Sequence, residues 1–193
     1  MSAASASRTV RPGEVARFER LAATWWDPRG PMRPLHVVNA LRLGYVLERI
    51  AAHAGRPPGE LGGLAIADIG CGAGLLCEPL AARGARVVGI DATPGNVAAA
   101  RLHAGEAGLA IDYRLGDPAT ALGARECFDV ILMLEVVEHV DDVDAFVADA
   151  ARHLAPGGLL VASTINRTAR SFLLAIVGAE YLLRLLPVGT HRW

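Results

Sequence analysis

The sequence predicts an α/β fold, a mostly parallel sheet with helices on both faces and a helical cap ahead of it. Short apolar runs alternate with stretches of about 10 to 15 residues at helical spacing, the pattern of strands joined by crossover helices. Several of the runs are continuous, as in Val130-Ile131-Leu132-Met133, which suits strands buried on both faces. The first run leads into a cluster of glycines, where a sheet of this kind places its ligand site.

The elements follow in order. From Glu14 to Trp26, Val15, Phe18 and Leu21-Ala22 recur at helical spacing and predict a helix that ends on Trp25-Trp26. Pro28, Gly30, Pro31 and Pro34 break the chain into a loop, and Asn39 is placed to cap a second helix reaching Ala54. Gly55 to Gly63, with Pro57-Pro58, reads as a linker. Leu64–Ile69 is the first strand, Leu75–Arg83 a helix, Arg86–Ile90 a second strand closing on Asp91, and Pro94–Ala107 a helix. Ile111–Leu115 and Phe128–Leu134 are the third and fourth strands; Asp142–Leu154 is a helix, and Leu159–Thr164 a fifth strand after the turn Pro156-Gly157-Gly158. The chain therefore divides into a disordered N-terminus at 1–13 and one domain at 14–193. That domain comprises a helical cap at 14–54, a Rossmann-like core at 64–164 and an apolar, amphipathic helix at 169–188.

Composition narrows the function classes. With 193 residues, 52% hydrophobic and 20% charged, the chain suits one domain with a substantial core. A net charge of −1 from 19 basic and 20 acidic residues leaves no basic footprint for nucleic acid. Cys71, Cys77 and Cys127 form neither an even set nor a C-x-x-C pair, so neither a disulfide framework nor a structural zinc is predicted, and the expected location is the cytoplasm. Met1 to Gly13 carries no apolar signal-peptide core.

The loop Asp68-Ile69-Gly70-Cys71-Gly72-Ala73-Gly74 carries the chemistry. Glycines permit a tight turn and let backbone N–H groups approach a ligand where a Cβ would collide. Asp91 ends the next strand, 21 positions after Gly70, where a carboxylate can accept from both hydroxyls of a ribose. A dinucleotide site would show G-x-G-x-x-G; here the spacing is G-x-G-x-G with Asp68 ahead of it. An Asp at the mouth of a pyrophosphate site repels the phosphates, whereas it can accept from the ammonium of a methionine-type ligand. The loop therefore predicts S-adenosylmethionine over NAD, with Gly70, Gly72, Asp68 and Asp91 as contacts. Asp117, after the third strand, can take the adenine amino group or be a plain loop aspartate. Met133, at the end of the fourth strand, borders the same pocket or fills the core.

The chain resembles the class I methyltransferases, and more narrowly the ubiquinone-biosynthesis O-methyltransferases. Trp25-Trp26-Asp27, Pro34-Leu35-His36, Leu41-Arg42-Leu43-Gly44-Tyr45, Gly89-Ile90-Asp91, Glu135-Val136-Val137-Glu138-His139, Asn166-Arg167, Val177-Gly178-Ala179-Glu180-Tyr181 and Gly189-Thr190-His191 carry the resemblance over residues 14–193. It implies cofactor contacts at Arg42, Gly70, Asp91 and Met133, and a polyprenylated catechol as methyl acceptor: a 3-demethylubiquinol, or an intermediate of the polyprenyl-dihydroxybenzoate or polyprenyl-hydroxyphenol type. A guanidinium at Arg42 can clamp the ligand's carboxylate in bidentate fashion.

Glu135, Glu138 and His139 follow the fourth strand. On a helical turn Glu135 and His139 share one face with Glu138 beside them, and two carboxylates with an imidazole can hold Mg²⁺ with positions open for a catechol. Such an ion would acidify one phenol and point it at the methyl group. Alternatively Glu138 and His139 act as acid–base residues, His139 having an ordinary pKa near neutrality, or the cluster only shapes the pocket.

Ser171 to Val188 is apolar apart from Glu180 and Arg184. It reads either as an interfacial helix, peripheral at the inner face of the membrane and near a ubiquinone-biosynthesis complex, or as a cap on the sheet; its charges argue against a span. Members of the family continue beyond Gly189-Thr190-His191 and carry two more strands, so the chain is expected to be C-terminally truncated. The predicted reaction is methyl transfer from the sulfonium to a phenolic oxygen. The alternative is a truncated, non-catalytic protein that binds the cofactor or a membrane complex.

Overall fold

The computed structural model describes residues 24–27, 29–30 and 32–164. The predicted N-terminus at 1–13, most of the helix from Glu14 and the helix at 169–188 lie outside the described residues. In chain order the elements are α1 (Arg33–Ala54), β1 (Ala65–Ile69), α2 (Cys77–Ala81), β2 (Arg86–Asp91), α3 (Pro94–Glu106), β3 (Asp112–Leu115), α4 (Pro118–Ala121), β4 (Phe128–Leu134), a 3₁₀ turn (Val137–His139), α5 (Val143–Ala151) and β5 (Leu154–Ser163).

The strands form one sheet in the order β3-β2-β1-β4-β5, and every neighbouring pair is parallel. The chain steps outward from β1 to β3, then returns to start β4 on the other side of β1. Strand order therefore reverses between β1 and β4, and the crevice at their carboxyl ends is where a ligand enters such a sheet. Alternation along the strands builds a core on each face. Ile66, Val87, Val130 and Leu132 pack with Val46 and Ile50 of α1 and with Leu80, Val97 and Ala100. Ala65, Ala67, Ile69, Val88, Ile90, Ile131 and Met133 pack with Phe128, Phe146 and Ala150.

Two boundaries differ from the prediction by five residues or more. The first long helix begins at Arg33, not at Asn39, because Pro34 in the first turn forfeits no helical hydrogen bond. Asn39 sits inside that helix and its Nδ2 donates to Leu75 O at 2.9 Å, fastening α1 to the loop after β1. The helix stops where predicted, on Gly55 in a left-handed conformation at φ 61°. Strand β5 starts at Leu154 instead of Leu159. The Pro156-Gly157-Gly158 turn is an irregularity inside that strand, which is outermost among the described residues, with a register shift between Phe128 and Val130 on its partner.

Candidate functional site

The glycine loop turns immediately after β1. The N–H groups of Gly70 and Cys71 both donate to Ile90 O, at 2.7 and 3.0 Å, and Gly70 and Gly72 take positive φ of 79° and 55°. The room these glycines leave is used by the protein itself. A Cβ on Gly70 would lie 2.6 Å from Val136 Cγ2, and one on Gly72 would lie 2.7 Å from Cη2 of Trp25.

Asp91 ties this loop to the end of β2. Its Oδ2 accepts from Gly72 N at 2.9 Å, and its Oδ1 accepts from Thr93 N at 2.8 Å and Asn96 Nδ2 at 3.2 Å. Burial pushes its pKa up, and these donors pull it partly back. Asp68 is only 4% exposed, and its Oδ2 accepts from Cys77 Sγ at 3.3 Å. Burial lifts its pKa from 3.8 to about 6, Asp91 adds to the rise, and the Arg42 guanidinium opposes it. Arg42 projects from α1 to within 3.5 Å of Glu135 Oε1. A cation at Arg42 and an anion at Asp68 on one crevice form a charge pair complementary to a zwitterionic amino acid.

The segment after β4 does not form the predicted helical turn. Glu135 has φ 55°, a conformation rare for a residue with a Cβ and concentrated at functional sites, and the 3₁₀ turn begins only at Val137. Glu135, Glu138 and His139 are therefore not aligned on one helical face. Among the described residues, as placed, no three or more His, Cys, Asp or Glu side chains gather closely enough to hold a metal ion. The two carboxylates do meet. Glu135 Oε1 accepts from Ser163 Oγ at 2.8 Å and Glu138 Oε2 from Thr164 Oγ1 at 3.0 Å. Glu138 Oε1 is buried without a hydrogen-bond partner among the described residues. Burial, and then the Glu135 charge, push the Glu138 pKa up.

Two predicted contacts have partners within the protein. Asp117 caps α4: its Oδ1 accepts from Thr120 N at 3.0 Å and from Thr120 Oγ1 at 2.7 Å, a reciprocal cap with the Thr120 hydroxyl on the Asp117 N–H. Met133, next to last in β4, is buried in the core at the crevice end of that strand. Trp25, Asn96, Ser163 and Thr164 also belong to the site. Ser163 ends the parallel strand β5 and Thr164 follows it, a position from which hydroxyls reach a ligand crevice.

A family profile described as a methyltransferase domain matches residues 67–162. A ubiquinone biosynthesis O-methyltransferase from Azorhizobium caulinodans is 54% identical over 98% of this chain and 76% of its own length. One from Methylobacterium sp. strain 4-46 is 55% identical over 93% and 74%. Among solved structures, a magnesium protoporphyrin IX methyltransferase from Synechocystis with bound SAH superposes with a TM-score of 0.68 at 24% identity, covering 92% of this chain and 77% of that one. The shared architecture is the Rossmann-like sheet of the class I methyltransferases, and at this identity and coverage the chain belongs to the family of ubiquinone biosynthesis O-methyltransferases.

Proposed function

We propose that the chain methylates a phenolic hydroxyl of a polyprenylated catechol with S-adenosylmethionine. Family membership supports the reaction class. The observation that carries the assignment of roles is Glu138, a half-buried carboxylate of raised pKa with one buried, unpartnered oxygen just past the carboxyl end of β4, beside the crevice of Asp68 and Arg42. S-adenosylmethionine supplies an electrophilic methyl group on a sulfonium. Arg42 receives the amino-acid carboxylate of that ligand, Asp68 its ammonium and Asp91 the ribose hydroxyls, while the turn at Gly70 and Gly72 brings the loop onto Asp91. Glu138, with His139 in reserve on the same turn, takes the phenol proton, because a carboxylate of raised pKa is a stronger base. The phenolate left behind is the nucleophile for methyl transfer, and the products are S-adenosylhomocysteine and an aryl methyl ether.

A divalent cation such as Mg²⁺ would be held by the Glu135–Glu138 pair, and with Glu138 so engaged the phenol proton would pass to His139. Two adjacent carboxylates, one with a buried unpartnered oxygen, are a donor set for a hard cation, which would supply Lewis acidity to a chelated catechol. Residues 169–188, by their apolar sequence broken at Glu180 and Arg184, carry contact with a lipid surface or a biosynthetic complex; flotation on liposomes with and without them tests this, and equal recovery refutes it. Among the described residues no helix is long and apolar enough to cross a membrane.

The deciding experiment is a methyl-transfer assay on a short-chain polyprenyl catechol. The chain should convert it, Glu138→Gln should lower kcat by about 10²-fold or more, and EDTA should abolish turnover until Mg²⁺ is restored. Absence of product with the unaltered chain overturns the reaction. An undiminished rate for Glu138→Gln overturns the base, and unchanged turnover in EDTA removes the cation.

A further inference from the structure

The two indoles before α1 are pinned onto the glycine loop. Trp26 Nε1 donates to Ala73 O at 3.0 Å, and its ring stacks on His103 with centroids 3.5 Å apart; His103 Nδ1 in turn meets buried Glu78 Oε1 at 2.7 Å. Trp25 lies deeper. It is 7% exposed, packed with Met32, Ala73 and Leu75, and its backbone carbonyl meets His36 Nε2 at 2.7 Å. Its six-membered ring faces Gly72, where Cη2, Cζ3 and Cζ2 all lie within 3.1 Å of the position a Cβ would take. Its Nε1 donates to Asn96 Oδ1 at 2.8 Å, and Asn96 is itself only 2% exposed.

These contacts converge on one carboxylate. Gly72 holds Asp91 Oδ2 through its N–H, and Asn96 holds Asp91 Oδ1 through Nδ2. The indole therefore spans the two groups that grip the two oxygens of Asp91. A ligand hydrogen-bonded to Asp91 through its hydroxyls would approach beside these two groups and the ring between them. We propose that Trp25 is a cofactor-positioning residue, a fixed roof over the ribose end of the site, and that Asn96 couples it to the orientation of Asp91. The inference rests on the assignment of Asp91 to the cofactor ribose. A rigid aromatic face excludes water from the ribose hydrogen bonds and presents area without the entropy cost of a flexible side chain. The cost of losing it falls on binding, with the methyl-transfer step at the far end of the ligand spared.

Calorimetric titration with S-adenosylhomocysteine, alongside steady-state kinetics and tryptophan emission, tests this on the full chain. Trp25→Ala should weaken the Kd by about tenfold or more, equivalent to about 1.4 kcal/mol. The same variant should raise KM for S-adenosylmethionine to match and leave kcat at saturation within about twofold of the parent. Trp25→Phe keeps a ring and should restore most of the affinity; Asn96→Ala should fall between. Emission should respond to the ligand in the parent and in Trp26→Phe, and the response should vanish in Trp25→Phe. If the parent binds and Trp25→Ala, with an unchanged circular dichroism spectrum, binds equally well, the roof is refuted. Should Trp25→Ala not fold, Trp25→Phe and Asn96→Ala decide: a retained ligand response in the first and an unchanged Kd in the second refute it. Failure of the parent to bind S-adenosylhomocysteine refutes instead the cofactor assignment on which the inference rests.

Discussion

Replacing Gly70 with alanine perturbs the loop and the catalytic turn together. Gly70 has φ 79°, and holding a residue with a Cβ in the left-handed region costs about 1–2 kcal/mol. The new Cβ would also lie 2.6 Å from Val136 Cγ2 and 2.7 Å from Val136 Cβ. Val136 is β-branched and stiff at χ1, so relief has to come from backbone movement, and such overpacking costs about 1–3 kcal/mol. Together the two effects predict a loss of about 2–5 kcal/mol, or about 4–20 °C in Tm for a chain of this size. Val136 stands between Glu135 and Glu138, so displacing it should also lower kcat on the order of 10²-fold. Thermal and chemical denaturation of a double-mutant cycle isolates the contact. Val136→Gly removes both clashing carbons and should recover about 1–3 kcal/mol in the Gly70→Ala background, leaving the φ cost behind. Val136→Ala removes only the Cγ carbons and should recover less. Additivity of Gly70→Ala and Val136→Gly to within about 0.5 kcal/mol would refute the reasoning.

Further expectations concern charge. Asp68 has its pKa raised from 3.8 to about 6 by burial, so its contribution to stability is fully present below pH 3.8 and is lost as pH rises through about 6. Asp68→Asn should stabilise the unliganded chain at neutral pH by up to about 3 kcal/mol. It should also weaken S-adenosylhomocysteine binding and remove the tightening that the parent shows as pH rises through about 6; calorimetry across that range reads both. Glu126 is held down to about 2 by the Arg114 guanidinium, which meets it with two bonds of 2.7 and 2.8 Å. That stability is present above the ordinary glutamate pKa and is lost as pH falls toward 2; Glu126→Gln should flatten acid unfolding, by no more than about 1 kcal/mol because the pair is partly exposed. Arg42→Lys keeps the charge and loses the planar fork, so calorimetry should show binding weakened by about tenfold with the fold unchanged; unaltered affinity would remove Arg42 from the carboxylate site.

The strand and helix pattern determined the sheet. Apolar runs such as Val130 to Met133 have to be buried on both faces, and that requirement alone selects a parallel layer with helices on either side. The glycine loop and Asp91 were equally legible, because a turn needing positive φ leaves its mark in residue type. The same local logic failed at Glu135. No rule of spacing places a glutamate in the left-handed region, and a helical reading of residues 135–139 aligned three side chains that the folded chain does not gather. Asp117 and Met133 were ambiguous for a similar reason: a cap and a core position use the same residue types as a ligand contact. Tertiary structure alone decided what covers the loop. Trp25 and Asn96 stand 71 residues apart, and Arg42 meets Glu135 across the crevice. Periodicity and turn chemistry report short-range constraints on the backbone, whereas these contacts exist only after the sheet has brought the ends of β1, β2, β4 and β5 together.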